Sequence, residues 1–251
     1  MTRPRLSVVV VTLNEAERIR ACLESVVWAD ELVVVDAESQ DKTVLIAREL
    51  TDRVFVRPWP GFAAQKNFAI AQATGDWILS LDADETVSPP LRAEIEAVVR
   101  GAGEAAGYTV PRRNVFWGAW VRHGGLYPDR QLRLFRRGHG RFLERAVHES
   151  VTVDGAVGRL AGHLEHRSYR DVADFLARAD RYASLAADEW LAAGRPVRPL
   201  RDLVARPIGR FLGMYLARAG FLDGWRGFLL ATLYAYYVFM RSAKAWERVR
   251  R

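Results

Sequence analysis

The sequence predicts an α/β fold in which a central, mostly parallel sheet is followed by a helical C-terminal region. Two β-branched runs, Leu6–Thr12 and Glu31–Asp36, have the continuous apolar pattern of strands buried on both faces of a parallel sheet. Helical periodicities alternate with such runs across short polar turns, as crossover units require. From Asp171 onward the strand-like runs stop and helical spacing takes over.

Leu6–Thr12 reads LSVVVVT and leads to the polar pair Asn14-Glu15, after which Ile19, Leu23 and Val26 recur at helical spacing. Glu31–Asp36 (ELVVVD) ends in the polar turn Ala37–Lys42, and a helix runs from there towards Leu50. Arg53–Arg57 is a short third strand, Gly61–Thr74 a helix, and Asp76–Leu81 (DWILSL) a fourth strand that enters Asp82-Ala83-Asp84-Glu85. In open sheets of this kind ligands sit outside the carboxyl ends of the strands. Those ends carry Asn14, Glu15, Asp36, Asp82 and Asp84 here, so one edge gathers polar groups from three turns. Through Tyr108–Arg145 glycines and aromatics interleave with arginines, with strand-like stretches at Tyr108–Pro111 and Gln131–Arg136. Helical stretches follow at Asp171–Ala192, Leu200–Ala219 and Gly224–Val249, so an α/β domain over 1–170 and a helical region over 171–251 are expected.

A chain of 251 residues buries a core as one large domain, or as one domain with an appendage. Its composition excludes disordered, collagen-like and disulfide-scaffold classes, and the single Cys22 has no partner for an intramolecular bridge. Met1–Arg5 leads straight into a strand-like run instead of an apolar signal segment, so synthesis in the cytosol is expected. The net charge of +7 is concentrated at one end: Arg201–Arg251 holds ten basic and three acidic residues, which leaves 27 of each sign before it. A basic tail faces something anionic, whether a membrane surface, an acidic acceptor or nucleic acid. The charge flanks an apolar aromatic helix and no nucleic-acid motif is visible, so nucleic acid is not expected.

That apolar stretch, Gly227–Met240, is fourteen uncharged residues bracketed by Arg226 and Arg241. Spanning a bilayer takes about 20 apolar residues. A helix lying in the interface suits it better, with Trp225, Tyr234, Tyr236, Tyr237 and Trp246 as interfacial rings. A helix packed on its own domain, or a dimer contact, gives the same pattern, and the oligomeric state is left open.

The strongest chemical signal is Asp82-Ala83-Asp84 at the end of an apolar strand. Carboxylates two residues apart in a turn reach one hard divalent cation, which shares them with phosphate oxygens. An ordinary acidic turn gives the same tripeptide, and the strand end is what favours a ligand site. Neither G-x-G-x-x-G nor G-x-x-x-x-G-K-[ST] occurs, so Rossmann and P-loop nucleotide sites lose support. A nucleotide is still held if Asp36 bonds a base or ribose edge and Lys66 meets phosphate. Lys66 is one of three lysines among 34 arginines, although a solvated helix residue would look the same. All five histidines lie between His123 and His166, and His163-x-x-His166 lacks a third zinc ligand of clear spacing. Arg112, Arg113, Arg133, Arg136 and Arg137 read either as a phosphate or acidic-sugar grip or as a solvated face.

Five ordered segments, TLNEAERIRACLESV, ADELVVVDAESQDKT, WPGFAAQKNFAIAQATGDWILSLDADE, GGLYPDRQLRLFRR and VHE, together resemble glycosyltransferase family 2. The nearest branch is the one of lipopolysaccharide-core glucosyltransferases and related sugar transferases. The resemblance covers most of residues 5–170 and, more loosely, Gly220–Gly227. It implies a GT-A nucleotide-sugar-binding fold, a nucleotide-sugar donor, a divalent metal (Mg²⁺ or Mn²⁺) and inversion at the anomeric carbon. By position, Thr12, Leu13, Asn14 and Glu15 match the first donor-binding turn, Asp36 the nucleoside contact and Lys66 the basic group near the donor. Asp82 and Asp84 match the metal–diphosphate motif. The second turn departs from the branch pattern D-S-G-S-T-D-G-T, because Glu38 and Lys42 stand where glycines are usual.

Inverting transfer needs a carboxylate beside the acceptor hydroxyl. Many members of the family carry an acidic pair after the acceptor-side strand, and Glu149, in His148-Glu149, stands in roughly that position, with Asp129 as the second candidate. His148 and His166 are further candidates for reaching the metal or the diphosphate. The expected function is a metal-dependent inverting hexosyltransferase of lipopolysaccharide or envelope polysaccharide biosynthesis. It would take a UDP-sugar as donor and a glycolipid or lipid-linked acceptor, peripherally at the cytoplasmic face of the bacterial inner membrane. A nucleotidyltransferase would want a glycine-rich basic loop, which Val10–Arg20 lacks. An inactive membrane-associated nucleotide-sugar-binding module is the other alternative, and Asp82, Asp84 and Glu149 together argue against it.

Overall fold

The computed structural model describes residues 3–143 and 150–250. The N-terminal half alternates β1 (Leu6–Thr12), α1 (Ile19–Glu24), β2 (Glu31–Asp36), α2 (Thr43–Arg48), β3 (Val54–Val56), α3 (Phe62–Gln72) and β4 (Trp77–Asp82). Then come β5 (Glu85–Val87), α4 (Pro89–Ala97), β6 (Gly107–Phe116), β7 (Ala119–Trp120) and β8 (Asp129–Arg136). The last strands are β9 (Gly140–Leu143), β10 (Ser150–Val153), β11 (Val157–Arg159) and β12 (Leu164–His166). The remainder is helical: α5 (Val172–Ala192), a run over 200–217 that contains α6 (Arg206–Leu212), and α7 (Gly224–Arg250). Two compact units result, one from the chain up to Arg112 with Asp129–His166, the other from Arg113–Pro128 with the chain from Arg167 onward. Residues 113–128 thus group with the C-terminal helices, an excursion that one boundary at residue 170 does not express.

In the first unit the strands follow the order β3-β2-β1-β4-β8-β6-β12-β5, with β11 also paired to β6. β3, β2, β1 and β4 are mutually parallel, and β8 enters antiparallel beside β4. β1 is buried on both faces: Leu6, Val8 and Val10 join α1 and α4 in one core cluster, while Val9 joins Ile78, Phe135 and Ala69 of α3 in the other. Each fully buried Val or Leu there contributes roughly 1.5–3 kcal/mol, so the β-branched runs specify the middle of a three-layer arrangement. α4 was not expected from the sequence. It begins at Pro89-Pro90, where a fixed φ and a missing N–H suit the first helical turn.

In the second unit Asp171 caps α5 by accepting from the Asp174 amide at 2.8 Å. α5 packs on α7 through Phe175, Ala179 and Leu233, and again through Ala187, Trp190 and Ala245. The 220–223 turn closes on α7 so tightly that a Cβ on Gly227 would lie 1.8 Å from the Gly220 carbonyl oxygen. Within Gly227–Met240, Leu230, Ala231, Leu233 and Val238 are buried, so much of that apolar stretch is core. Apolar exposure concentrates elsewhere: Leu200, Val204, Ile208, Leu212 and Leu216 recur every fourth residue along 200–217 and all are exposed. Among the described residues no helix is long and apolar enough to cross a membrane.

Candidate active site

Strand register builds the site. Thr12 stands opposite Asp36, and Val11 opposite Asp82, so the carboxyl ends of β2, β1 and β4 lie side by side. The turns that follow are cross-linked through side chains. The Asn14 amide donates to Ser39 Oγ at 2.7 Å, and the Gln40 amide donates to Asn14 Oδ1 at 2.8 Å. The Glu15 amide donates to Thr43 Oγ1 at 2.8 Å. Asp36 is fully buried and accepts from the Ser39 amide at 2.9 Å and from its hydroxyl at 2.5 Å. Glu38 occupies φ 62, a left-handed conformation that favours glycine. Lys42, at the second missing glycine, has an ordinary φ of −79. The second turn therefore keeps its cross-links to the first without either glycine. Leu13 is exposed, and Thr12 Oγ1 is buried without a partner among the described residues.

Beside this turn lies an alternating ladder of acids and bases. Lys66, buried on α3, meets Asp82 Oδ1 at 2.8 Å, and Arg133 Nη2 donates to Asp82 Oδ2 at 2.5 Å. Arg133 also donates to Glu85 Oε1 at 2.6 Å, and Arg112 approaches the same oxygen at 3.3 Å. Arg112 then forks onto Asp129 Oδ2 with contacts of 2.8 and 2.5 Å, while Gln131 donates to Asp129 Oδ1 at 2.8 Å. Burial favours a neutral Asp82, but the charges and hydrogen bonds of Arg133 and Lys66 outweigh it and hold the carboxyl well below the ordinary aspartate range. Burial likewise lowers the Arg133 pKa, and Asp82 with Glu85 overcompensates, so Arg133 is a permanent cation. The Cys22 thiol, 3.6 Å from the Asp82 carbonyl oxygen, is pushed up by burial and by Glu85, Asp84 and Asp82. It is an inert wall group.

Asp84 is less tightly held. Its Oδ2 lies 3.5 Å from His166 Nε2 and 3.9 Å from Arg18 Nη1. Among the described residues no group of three or more His, Cys, Asp or Glu is placed to hold a metal ion. Asp84 and His166 offer one carboxylate oxygen and one imidazole nitrogen, and Asp82 is already neutralised by two cations. Asp84 and His166 are thus the residues that would hold a divalent cation here, with its remaining ligands supplied by a bound substrate. On α3, Gln65 is fully buried with neither Oε1 nor Nε2 partnered among the described residues. Asn67 ties α3 to β9, exchanging hydrogen bonds of 2.9 Å with the Phe142 backbone.

The structure thus brings together Asn14, Glu15, Asp36, Lys66, Asp82, Asp84 and Asp129 in the first unit. Glu149 and His148 lie outside the described residues. Sequence reasoning left three partners unassigned. Arg133, buried, and Arg112, half-buried, are the counter-ions of the acidic turn and not a solvated face, and Glu85 is the carboxylate between them. The available signal was Glu85 itself, an ionisable residue directly after Asp82-Ala83-Asp84.

Comparison with known proteins agrees with this architecture. The solved mannosyltransferase PcManGT from Pyrobaculum calidifontis, in complex with GDP-Man and Mn²⁺, aligns with 98% of this chain and 88% of its own at a TM-score of 0.55 and 18% identity. TarS 1–349 from S. aureus in complex with UDP-GlcNAc aligns with 98% and 91% at a TM-score of 0.51 and 16% identity. Both likenesses establish the shared GT-A fold. In sequence, the lipopolysaccharide core biosynthesis glycosyltransferase LpsC of Rhizobium meliloti (strain 1021) is 32% identical over 97% of this chain and 92% of its own length. An uncharacterized glycosyltransferase, RT0209, of Rickettsia typhi is 30% identical over 97% and 87%. The model of Glycosyl transferase family 2 matches residues 7–158, and with these relatives it shows that the chain belongs to glycosyltransferase family 2.

Proposed function

We propose that this family member is an inverting, metal-assisted glycosyltransferase of lipopolysaccharide assembly, moving a sugar from a UDP-sugar to a glycolipid or lipid-linked acceptor. The observation that carries the reading is the alignment of Thr12, Asp36 and Asp82 across three strand ends, with Lys66 on Asp82. The near-full-length similarity to LpsC supports the acceptor class.

In this reading Thr12, Leu13, Asn14 and Glu15 line the donor turn, and Asp36 keeps a lone pair on each oxygen for the ribose or base. Lys66 meets the diphosphate. Asp84 and His166 would hold a divalent cation, with His148 as a third candidate ligand, and that ion would supply charge stabilisation of the departing diphosphate. The acceptor hydroxyl oxygen attacks the anomeric carbon, its proton passes to the Glu149 carboxylate, and the bond to the diphosphate breaks. Asp129 is the second candidate base. Its grip by Arg112 and Gln131 suits it better to orienting the acceptor side.

Attachment at the cytoplasmic face of the inner membrane belongs to the same proposal. The exposed row from Leu200 to Leu216 shares its helical run with Arg201, Arg206 and Arg210, an apolar face with cationic flanks suited to anionic headgroups.

Thermal stabilisation by UDP, GDP, ADP and CDP, each with and without Mn²⁺ or Mg²⁺, tests the donor assignment. A ligand at 100 times its Kd raises stability by about 2.7 kcal/mol. A metal-dependent rise with UDP is expected, abolished in Asp84→Ala together with turnover while the unliganded Tm stays within about 2 °C of wild type. Absence of any nucleotide effect overturns the reading.

A further inference from the structure

We infer that the second unit carries a binding pocket for a phosphate-bearing headgroup, built from five arginines around Trp190 and sharing no residue with the strand-end cluster. The pocket has a volume of about 630 Å³, and its charged walls are Arg195, Arg198, Arg201, Arg206 and Arg241 against the single carboxylate of Glu189. That volume suits a headgroup or sugar phosphate.

Local sequence explains how so many cations are held in one place. α5 ends at Ala192, and the Gly194–Pro199 segment (GRPVRP) turns the chain with two prolines that fix φ while leaving Arg195 and Arg198 exposed. The helical run then starts at Leu200 and places Asp202 in full burial beneath the pocket. Asp202 accepts from Arg201 at 2.8 and 3.3 Å, lies 3.1 Å from Arg206 Nη1, and accepts from the Arg198 amide at 2.7 Å. One buried carboxylate thus anchors two guanidinium groups and the loop. Arg195, Arg198 and Arg241 have no carboxylate partner among the described residues.

Trp190 is the platform. Arg206 and Arg241 lie over its ring with Cζ at 5.0 and 5.4 Å from the centroid. Trp190 Nε1 and Arg241 Nε are both buried without a hydrogen-bond partner among the described residues. Two stranded donors beside an excess of like charge specify what would relieve them: an anion with several acceptor oxygens. Burial and the charges of Arg206 and Arg210 lower the Arg241 pKa, as expected where positive potential converges. Phosphate matches the planar, bidentate guanidinium fork better than a monovalent anion does. Arg198 and Arg201 flank Leu200, which is 79% exposed and begins the apolar row. That adjacency favours a headgroup presented at a lipid surface over a soluble phosphate.

The test uses the full chain and reads binding, so its outcome is independent of the donor chemistry. Glycerol 3-phosphate is titrated calorimetrically at constant ionic strength, and sedimentation is measured with phosphatidylcholine vesicles with and without phosphatidic acid. Arg195→Ser/Arg198→Ser changes only exposed side chains and should weaken glycerol 3-phosphate binding at least tenfold. Arg241→Gln should do the same. Lys66→Gln, at the donor site, and Arg181→Ser, exposed and outside the pocket, should change it less than twofold. Loss of phosphatidic-acid-dependent sedimentation in the double variant supports the lipid source. Glycerol 3-phosphate binding without any vesicle preference supports the pocket and assigns it a soluble phosphate. Wild-type binding in the double variant, equal loss in Arg181→Ser, or no binding of either probe overturns the inference.

Discussion

Replacing Arg133 by methionine removes the central cation of the ladder while keeping most of its aliphatic volume. Glu85 is fully buried and accepts from Arg133 at 2.6 Å, from Arg112 at 3.3 Å and from the Asp82 amide at 3.0 Å. The variant deletes the shortest of these and strands a buried carboxylate. Breaking a buried ion pair from one side costs about 3–5 kcal/mol. Arg112 stays within reach of Glu85, and Asp82, 30% exposed at its side chain, hydrates and keeps Lys66. The expected loss is therefore at the lower end, about 3 kcal/mol, read by urea denaturation at pH 7. Arg133→Met/Glu85→Gln removes the stranded charge and should recover at least half of it, a coupling that a double-mutant cycle isolates. The acid limb supplies an independent readout. Asp82 has a depressed folded pKa, so its contribution is complete above the ordinary aspartate value of about 3.9 and is lost as pH falls through the folded value. With Arg133 gone the depression shrinks, and stability should fall less steeply below about pH 4 than in wild type. A single-variant loss under about 1 kcal/mol, or no recovery in the double variant, refutes the argument that charge balance at Glu85 holds this ladder.

Three further predictions concern catalysis and the two tight backbone positions. Glu149→Gln should bind the nucleotide normally yet turn over at least 100-fold more slowly, as expected for loss of a general base; that phenotype in Asp129→Asn and not in Glu149→Gln would reverse the assignment. Gly227→Ala should destabilise by about 2 kcal/mol or more in chemical denaturation, because its Cβ meets a backbone oxygen at 1.8 Å and a main-chain segment must move. An unchanged midpoint would contradict that close approach. Glu38→Gly should stabilise by roughly 0.5 kcal/mol, since relief of the left-handed backbone slightly exceeds the entropy of glycine, and a lowered Tm would show that Glu38 makes a compensating contact.

The fold was legible where local pattern and burial coincide. The spans expected for β1, β2, α3, β4 and α5 fall within a residue or two of those observed, because a strand buried on both faces or a long amphipathic helix writes its period directly into the chain. β5, β7 and β9–β12 have two to four residues each, too short to show a period. Gly227–Met240 illustrates the limit differently. Its missing charges announced burial, but whether a protein neighbour or a lipid surface provides that burial depends on what packs against it, and α5 takes Leu233.

For the site, sequence alone placed the polar residues at strand ends, because parallel strands joined by crossovers align their carboxyl ends on one edge. It therefore determined that Asn14, Asp36, Asp82 and Asp84 share a neighbourhood. Tertiary structure decided what each of them touches. Arg112 and Arg133 lie 27 and 51 residues from the acids they neutralise, a separation over which no periodicity in the chain carries information. β8, entering antiparallel beside β4, brings Arg133 against Asp82 and Glu85. The same chemistry read locally is a basic, aromatic-rich stretch. Its meaning as buried counter-charge comes from strand register, which hydrophobic alternation fixes only once the strands have found each other.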